Sequence, residues 1–285
     1  MIWQTSRFDI DLGTPRVMGI VNLTPDSFSD GGLYDSTQAG LRHAEQLLRE
    51  GADMLDVGGE STRPGSPAVP ADEEWRRIEG FVREAVRWKV PLSVDTYKAE
   101  TMRKALDLGV DIVNDIWALR QPGAEAVVAQ HPRCGICLMH MHRDPQTMQK
   151  APMEGDVVGA VAAFLRDRAS ALCALGVQPA RIVLDYGIGF GKTVAQNFSL
   201  LAHQQALLAL GYPLLAGWSR KSSLGALLAR DGLPLEPAQR QAASVAAALL
   251  AVERGARIVR VHDVRETADA LRVLGQVQQM AQPGA

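Results

Sequence analysis

The segment Arg181-Ile-Val-Leu-Asp-Tyr-Gly-Ile-Gly-Phe-Gly-Lys-Thr193 decides the fold of this chain. An apolar run ends in a carboxylate, Asp185, and a glycine-rich turn follows it at once. A Walker phosphate-binding loop is excluded, because Tyr186 stands where that motif requires its first glycine. The dinucleotide fingerprint is excluded as well, because Lys192 replaces its third glycine. The segment therefore predicts a strand that presents a carboxylate at its C-terminal tip.

Composition limits the classes of partner. The chain has 285 residues and a net charge of −2, which gives no electrostatic footprint for nucleic acid or an anionic membrane. No apolar run reaches the roughly 18 residues that a bilayer span needs, and residues 1–9 show no secretory signal. The Ala- and Leu-rich stretch 242–252 reads as a buried helix. We therefore expect no nucleic-acid partner, no membrane and a cytoplasmic location.

The three cysteines do not form an even disulfide framework. Cys134-Gly-Ile-Cys137 has the spacing of a redox or zinc motif, but a strand-like run follows it instead of a helix. No second pair of zinc ligands is evident. The interpretation is structural: two small residues that enter a strand. The neighbouring His140 and His142 share one face of that strand without a third metal ligand, which favours packing or hydrogen bonding.

Strand-like and helical patterns alternate along the chain. The predicted strands are 17–22, 54–57, 91–95, 112–115, 135–139, 182–185, 213–216 and 257–261. The predicted helices are 38–50, 72–86, 99–108, 124–131, 157–175, 198–210 and 267–280, with a further helix near 238–254. Eight strand–helix units over about 250 residues indicate a (β/α)8 TIM barrel, with a doubly wound open sheet as the alternative.

The predicted barrel occupies a single domain, residues 1–285, because no linker divides the chain. Residues 1–13 form an N-terminal β extension, in which 2–12 alternate apolar and polar side chains and close the barrel bottom as a hairpin. Residues 282–285 are expected to be a frayed tail. The first and second βα loops, residues 23–36 and 59–71, are long, as active-site loops of this architecture are.

Polar side chains recur at the predicted strand tips, which converge on one face of a barrel. They are Asn22, Asp56, Asp95, Asn114, Asp115, His140, Asp185, Lys221, Arg260 and His262. A single strand-end Asp is explained by helix capping, but the whole set indicates a pocket with an acidic and a basic side. Carboxylates and amides suit the donor-rich edge of an amino-pyrimidinone, while Arg260 and His262 suit an anion such as phosphate.

Several segments resemble dihydropteroate synthases. The two long loops contain Met18-Gly-Ile-Val-Asn-Leu-Thr-Pro-Asp-Ser-Phe-Ser-Asp-Gly-Gly32 and Asp56-Val-Gly-Gly-Glu-Ser-Thr-Arg-Pro-Gly65. The remaining motifs are Ser93-Val-Asp-Thr96, Val113-Asn-Asp-Ile116, Leu138-Met-His-Met141, Gly187-Ile-Gly-Phe-Gly-Lys192, Ser219-Arg-Lys-Ser222 and Arg260-Val-His262. Each is weak alone, but their common order from about residue 14 to 275 is highly specific.

The resemblance implies a transferase of folate biosynthesis. Such enzymes join 6-hydroxymethyl-7,8-dihydropterin diphosphate to 4-aminobenzoate, release pyrophosphate, use Mg²⁺ and are usually homodimers that sulfonamides inhibit. The implied pterin-binding residues are Asp56, Asp95, Asn114, Asp185 and Lys221. The implied diphosphate-binding residues are Asn22, Arg260 and His262, with Asn22 also reaching the metal. The implied aminobenzoate-binding residues are Thr62, Arg63, Pro64, Phe190, Lys221 and Ser222.

The implied catalytic set is Asp95, Lys221, Arg260 and His262, and Asp30 belongs to a mobile first loop that closes over the site. The leaving group sits on a methylene attached to an electron-rich dihydropterin, so that its departure first, through a pterin cation, is expected. Loop closure would exclude water that traps this cation.

Two other functions compete with this interpretation. A methyltetrahydrofolate-binding module of a cobalamin-dependent methyltransferase shares the strand-tip Asp and Asn residues, but it has no need of the Arg260 and His262 pair. A non-catalytic pterin-binding paralogue would carry degraded loops, and both loops are intact. The chain departs from the common family pattern at Tyr186, where proline is frequent, at Trp218, and at residues 142–145.

Overall fold

Eight parallel strands form a closed barrel in the computed structural model, which describes residues 1–24, 33–62, 65–148 and 150–281. Within those ranges the strands are β1 (Ile2–Gln4), β2 (Asp9–Asp11), β3 (Arg16–Asn22), β4 (Met54–Gly58), β5 (Leu92–Asp95), β6 (Ile112–Asp115), β7 (Gly135–Met139), β8 (Ile182–Asp185), β9 (Leu214–Ala216) and β10 (Ile258–Val261). The barrel order is β10-β3-β4-β5-β6-β7-β8-β9. The predicted (β/α)8 barrel is confirmed, and the open-sheet alternative is wrong.

Helices cover the outside of the barrel. In the described part of the chain they are α1 (Leu33–Glu50), α2 (Ala71–Ala85), α3 (Ala99–Asp107), α4 (Ala124–Gln130), α5 (Val157–Ala174), α6 (Val194–Ala202), α7 (Gln205–Leu208), α8 (Ser222–Leu227), α9 (Gln241–Glu253) and α10 (Val264–Met280). Short 3₁₀ helices occupy Pro179–Arg181 and Pro237–Arg240. None of these helices has both the length and the apolar character that crossing a bilayer demands.

The helix predicted over 198–210 is wrong in its bounds. The region forms two helices, α6 and α7. Helix α6 starts earlier than predicted, directly after its N-cap Thr193, whose side chain forms a reciprocal capping box with that of Gln196. The break falls at Gln204, which is fully buried and bonds to the Tyr186 hydroxyl and the Ala251 carbonyl. A straight helix predicted from apolar spacing misses this polar anchor.

Three other helix predictions need correction. Helix α1 begins at Leu33 and α10 at Val264, before the apolar spacing indicated. The buried helix predicted over 242–252 is wrong for one face of α9, where Ala242, Ala246 and Leu250 are exposed. An Ala- and Leu-rich composition does not distinguish a helix buried within one chain from one with an apolar outer face.

The lower half of the barrel interior is an apolar core closed by the N-terminal hairpin. Strands β1 and β2 pair antiparallel, with Trp3 opposite Ile10. Trp3, Ile10 and Leu12 pack against residues near the N-terminal ends of the barrel strands: Met18, Met54, Ile112, Cys137, Val183, Leu215 and Ile258. The Trp3 indole donates to the Arg181 carbonyl at 2.9 Å. The predicted β extension that closes the bottom is confirmed.

The cysteines have the structural role predicted for them. Cys134 and Cys137 are buried free thiols, and Cys137 lies within the lower barrel core. Burial raises the pKa of both thiols, although Arg181 opposes the shift at Cys134. Neither residue is therefore poised as a thiolate for redox chemistry.

We predict that Trp3→Ala lowers the free energy of unfolding by about 3–5 kcal/mol, because it empties the centre of the lower core and removes a buried hydrogen bond. Equilibrium denaturation in urea measures this change. The matched control is Ile2→Ala in the same strand, where the side chain is 45% exposed and the expected effect is below about 0.5 kcal/mol. Equal losses of unfolding free energy in the two variants would contradict the role of Trp3 in closing the lower core.

Candidate active site

The upper half of the barrel interior is polar. Side chains two residues apart on a strand share a face, so the positions that follow the lower core also point inward. Asp56 lies two residues after Met54 on β4, and Asp185 lies two residues after Val183 on β8. On β10, Arg260 follows Ile258 in the same way. The structure thus brings Asp56, Asp185 and Arg260 to one end of the barrel interior. Asp115, predicted to belong to the same pocket, instead accepts from the backbone N–H groups of Trp117 and Leu119.

Arg260 connects two carboxylates across the barrel mouth. Its Nε donates to Asp56 Oδ2 at 2.6 Å, and a terminal nitrogen donates to Asp95 Oδ2 at 2.7 Å. The Asn114 amide also donates to Asp56 Oδ2, at 3.1 Å. Burial disfavours the charge of Arg260, yet Asp56 and Asp95 outweigh it and raise its pKa. The residue assigned by resemblance to the diphosphate thus also binds the acidic side of the site.

The acidic side keeps hydrogen-bonding capacity. Asp56 Oδ1 and Asp95 Oδ1 are buried and accept no hydrogen bond from the described residues. Burial raises the pKa of Asp95 to about 7, against the opposing charge of Arg260. Such acceptors cost free energy when they stay buried without a partner. A ligand that presents N–H groups at this depth would satisfy them.

Asp185 and Lys221 form the opposite wall. Asp185 Oδ1 accepts the Gly187 backbone N–H at 2.7 Å. Burial raises the pKa of Asp185, while this N–H and the charge of Lys221 oppose the shift. Burial likewise lowers the pKa of Lys221 to about 8, and Asp185 opposes it. The Lys221 ammonium lies 4.4 Å from the centre of the Phe190 ring.

The glycine turn after β8 requires glycine where it passes another strand end. Gly187 has φ +66°, and a Cβ there would lie 1.9 Å from the His140 carbonyl oxygen. The turn places Phe190 in an apolar cluster with Ile116, Met139 and Met141. The opening segment therefore builds an aromatic wall next to Lys221 instead of a phosphate cradle.

Lys192 is a site residue that the sequence reasoning missed. It is buried, and its Nζ donates to the carbonyls of His140, Gly187 and Phe190 at 3.3, 2.8 and 3.2 Å. Burial lowers its pKa to about 7, with Asp185 opposing the shift. Three carbonyl acceptors match the three protons of an ammonium group. The signal available in the sequence was the position of Lys192 directly after the glycine turn. From the sequence, that position served only to exclude a dinucleotide motif.

His262 is a neutral hydrogen-bonding group. Its backbone N–H donates to the Ser219 hydroxyl at 3.1 Å, and that hydroxyl lies 2.9 Å from the ring Nδ1. Burial, then the charge of Arg260, lowers the pKa of His262 to about 3. A hydroxyl that accepts the backbone proton can give its own proton to Nδ1, which assigns the ring proton to Nε2. His262 then offers a neutral N–H donor.

Arg220 is a second residue that the sequence reasoning missed. It does not face the site: its guanidinium binds Asp263 at 2.6 and 3.2 Å, and its backbone N–H donates to the Ser244 hydroxyl. Its φ is +58°, an uncommon value for a residue with a side chain. These contacts hold the turn that carries Ser219 and Lys221 beside the loop that follows His262.

The predicted aminobenzoate residues are only partly brought together. Thr62 lines a cavity of about 200 Å³ between the second loop and residues 144–146, and Tyr97 and Trp117 form its aromatic side. Phe190 and Lys221 do not line this cavity as described. Ser222 is exposed at the first position of α8. Arg63, Pro64, Asp30 and most of the first loop lie outside the described residues, so this part of the site stays a prediction. The predicted frayed tail, residues 282–285, also lies outside them.

Of the two histidines after β7, His140 packs as predicted. His140 is buried edge-on against Phe164, with ring centres 4.9 Å apart. Burial lowers its pKa to about 2. The described ranges contain no cluster of three or more His, Cys, Asp or Glu side chains that could hold a metal ion.

Comparison with known proteins gives one consistent family. Residues 18–262 match the family described as pterin binding enzyme. The dihydropteroate synthase of Neisseria meningitidis serogroup C is 53% identical over 274 residues, 95% of each chain. The Xanthomonas albilineans dihydropteroate synthase with 4-aminobenzoic acid has 48% identity and a TM-score of 0.90, over 99% of this chain and 100% of that one. The Burkholderia cenocepacia enzyme complexed with 7,8-dihydropteroate has 48% identity and a TM-score of 0.88, over 98% and 97%.

We predict that His140 and His262 stay neutral between pH 8 and pH 5, because their lowered pKa values put protonation below this window. NMR of ¹⁵N-labelled histidine, assigned with His140→Gln and His262→Gln, should show no titration of either ring. In urea-unfolded protein the same residues should titrate near the ordinary histidine pKa of about 6.5. A midpoint between pH 5 and 8 for either folded residue would contradict the burial argument.

Proposed function

The chain belongs to the dihydropteroate synthase family of pterin-binding enzymes, and from this premise we propose how its residues act. It condenses 6-hydroxymethyl-7,8-dihydropterin diphosphate with 4-aminobenzoate and releases 7,8-dihydropteroate and pyrophosphate. The observation that carries this function is the buried group of Asp56, Asp95 and Arg260, with Asp185 and Lys221 in the opposite wall. It combines acceptors for a heterocycle with a cation for its leaving group.

The pterin binds between the two walls. Asp56, Asp95, Asn114, Asp185 and Lys221 are the proposed contacts. The unsatisfied carboxylate oxygens of Asp56 and Asp95 support this role, because an amino-pyrimidinone presents several N–H groups on one edge. Placing these donors against buried acceptors removes a desolvation cost that the free site bears.

The diphosphate binds on the side of Arg260, His262 and Asn22. A guanidinium has five N–H donors, so Arg260 can keep the two carboxylates and still contact the anion. Its side chain is 21% exposed, which leaves part of it accessible from the barrel mouth. The neutral His262 adds a directed N–H donor in place of a second cation.

The donor set fits Mg²⁺ that enters with the substrate. Asn22 offers an amide oxygen at the end of β3, and the described residues form no carboxylate cage. Mg²⁺ commonly keeps several waters and binds through one or two protein oxygens plus substrate phosphates. Asn22 is the proposed protein ligand. When bound, the metal would neutralise charge on the diphosphate.

The reaction breaks the bond between the pterin methylene carbon and the diphosphate oxygen, whose electron pair leaves with pyrophosphate. The neutral amine of 4-aminobenzoate then attacks the methylene carbon and forms the new C–N bond, and the amine loses its extra proton to the released pyrophosphate. Asp95 stabilises the developing pterin cation, and Arg260 with His262 stabilises the leaving anion. The proposed contacts of the aminobenzoate are Phe190, Lys221, Ser222, Thr62, Arg63 and Pro64. Asp30 belongs to the loop proposed to exclude water.

The methyltransferase alternative fails to account for the basic side of the site. A methyltetrahydrofolate-binding module has no diphosphate to hold, whereas Arg260 and His262 both lie partly buried at the barrel mouth. The relative that matches 95% of this chain is itself a dihydropteroate synthase. A non-catalytic paralogue would share the geometry of the barrel mouth, and the assay of product tests that alternative directly.

A homodimer is proposed from the outer face of the last helices. Val273, Val277 and Met280 form an apolar stripe on α10 and are 58–67% exposed. The exposed residues Ala242, Ala246 and Leu250 continue apolar surface on the neighbouring α9. An apolar area of this kind marks an interaction surface.

Three free cysteines support a reducing compartment, which we propose is the cytoplasm.

The function is tested by incubating purified protein with the pterin diphosphate, 4-aminobenzoate and Mg²⁺. Mass spectrometry should detect 7,8-dihydropteroate, and a sulfonamide should compete with 4-aminobenzoate. Folded protein that binds the pterin diphosphate without forming product would overturn the enzymatic function in favour of the paralogue.

We predict that Asp95→Asn lowers kcat by about 10²–10³-fold, because it removes the charge that stabilises the transition state. The dissociation constant of the pterin diphosphate, measured by calorimetry, should change by less than about tenfold. The control is Asp53→Asn at the opposite end of the barrel, where Asp53 accepts from Arg16 and the Val17 N–H. Comparable losses of binding and turnover in Asp95→Asn would contradict a transition-state role.

We predict that Val277→Glu converts the protein to single chains, because it buries a charge in the proposed dimer contact. Light scattering after gel filtration measures the mass. Arg83→Glu, which changes an exposed residue of α2, should leave the dimer intact. A wild-type mass equal to one chain would overturn the homodimer.

A further inference from the structure

A largely buried cluster of charges lies at the start of the second βα loop, and one of its members, Glu60, lines the same cavity as Thr62. Lys98 pairs with Glu60 and, at 3.3 Å, with Glu74. The side chains of Lys98, Glu60 and Glu74 are only 13%, 7% and 0% exposed. Charges this deep are retained only when they are paired and hydrogen-bonded. None of the three is needed for the chemistry described above.

The cluster joins four parts of the chain. Glu74 lies in the first turn of α2, and its Oε2 accepts from Thr96 at 2.9 Å and from Thr101 in α3 at 2.6 Å. Thr96 directly follows Asp95 at the end of β5. Burial raises the pKa of Glu74, while Lys98 and the two hydroxyls oppose the shift. Lys98 therefore sits between a carboxylate of the scaffold and Glu60, the carboxylate of the second loop.

Glu60 is held from two further directions. The Tyr97 hydroxyl donates to Glu60 Oε1 at 2.9 Å, and the Lys98 ammonium lies 4.4 Å from the centre of the Tyr97 ring. The preceding Gly59 carbonyl accepts from Arg77 of α2 at 2.9 Å. A Cβ on Gly59 would lie 2.8 Å from the Glu74 carbonyl oxygen. The first residues of the second loop, Gly59 and Glu60, therefore pack closely against α2 and are held by the ion pair with Lys98.

We propose that Glu60 and Lys98 are positioning residues for the aminobenzoate half of the reaction. Thr62 lies two residues after Glu60, so the Glu60–Lys98 pair sets where the second loop leaves the barrel and where its tip can meet the amine substrate. The proposed pterin contacts arise from β4, β5, β6, β8 and the turn after β9, and none of them lies on this loop. The inference rests on the proposed function, because it assigns the loop to one of its two substrates.

The test separates the two substrates kinetically. Glu60→Gln keeps the shape and an acceptor for Tyr97 but removes the charge that binds Lys98. The KM for 4-aminobenzoate should rise about ten- to hundredfold, because a small displacement of a positioning loop is costly. The KM for the pterin diphosphate should stay within about threefold of wild type, and Glu79→Gln, in an exposed pair on α2, should leave both values unchanged.

Variants at Lys98 distinguish positioning from simple loss of stability. Lys98→Met should raise the KM for 4-aminobenzoate as Glu60→Gln does, whereas Lys98→Arg keeps a cation between the two glutamates and should restore it to within about threefold. Tyr97→Phe, which removes one hydrogen bond and no charge, provides a milder variant if Glu60→Gln does not fold. It should raise the same KM by a smaller factor.

Three results would overturn the inference: equal rises of both KM values, no change in either, or the same defect in Lys98→Arg and Lys98→Met. Wild-type protein that forms no dihydropteroate would instead overturn the proposed function. The two failures are therefore distinguishable in one set of assays.

Discussion

The contact of Arg260 with Asp56 and Asp95 depends on closure of the barrel. Arg260 lies on the last strand, 204 residues after Asp56, and reaches it only because β10 pairs with β3 and β3 with β4. Two carboxylates and a guanidinium in a largely buried space are tolerable only as a paired group, since an unpaired buried charge costs several kcal/mol. The same pairing leaves one oxygen on each carboxylate without a protein donor. Fold and binding site are therefore tied through one buried cation.

The two ends of the barrel divide the work of stability and function. The lower interior is filled by apolar side chains and by Trp3 from the N-terminal hairpin. The upper interior carries polar groups whose ordinary pKa values are shifted mainly by burial, as at Asp95, Lys221 and His262. Such groups destabilise a fold when they lack partners, so the apolar lower layer offsets their cost. Perturbed groups of this kind are typical of functional sites.

Two buried lysines hold backbone and loop roots in place. Lys192 binds three carbonyl oxygens of the strand-end turns, and Lys98 binds the carboxylate at the root of the second loop. In each case a lysine binds main-chain or carboxylate oxygens close in sequence to a residue proposed to contact the aminobenzoate, Phe190 or Thr62. Sequence reasoning missed Lys192, because a lysine after a glycine turn has no periodic or compositional signature of burial.

The strands and their polar tips were determined by the sequence itself, because short apolar runs that end in Asp, Asn or Arg have few other structures available. The glycine turn at Gly187 was equally local, since its positive φ favours glycine. The tertiary structure alone decided the partners: Arg260 with two carboxylates, His262 as a neutral donor, and Gln204 as a helix break. These depend on which distant groups burial brings together, and local sequence patterns carry no information about that contact.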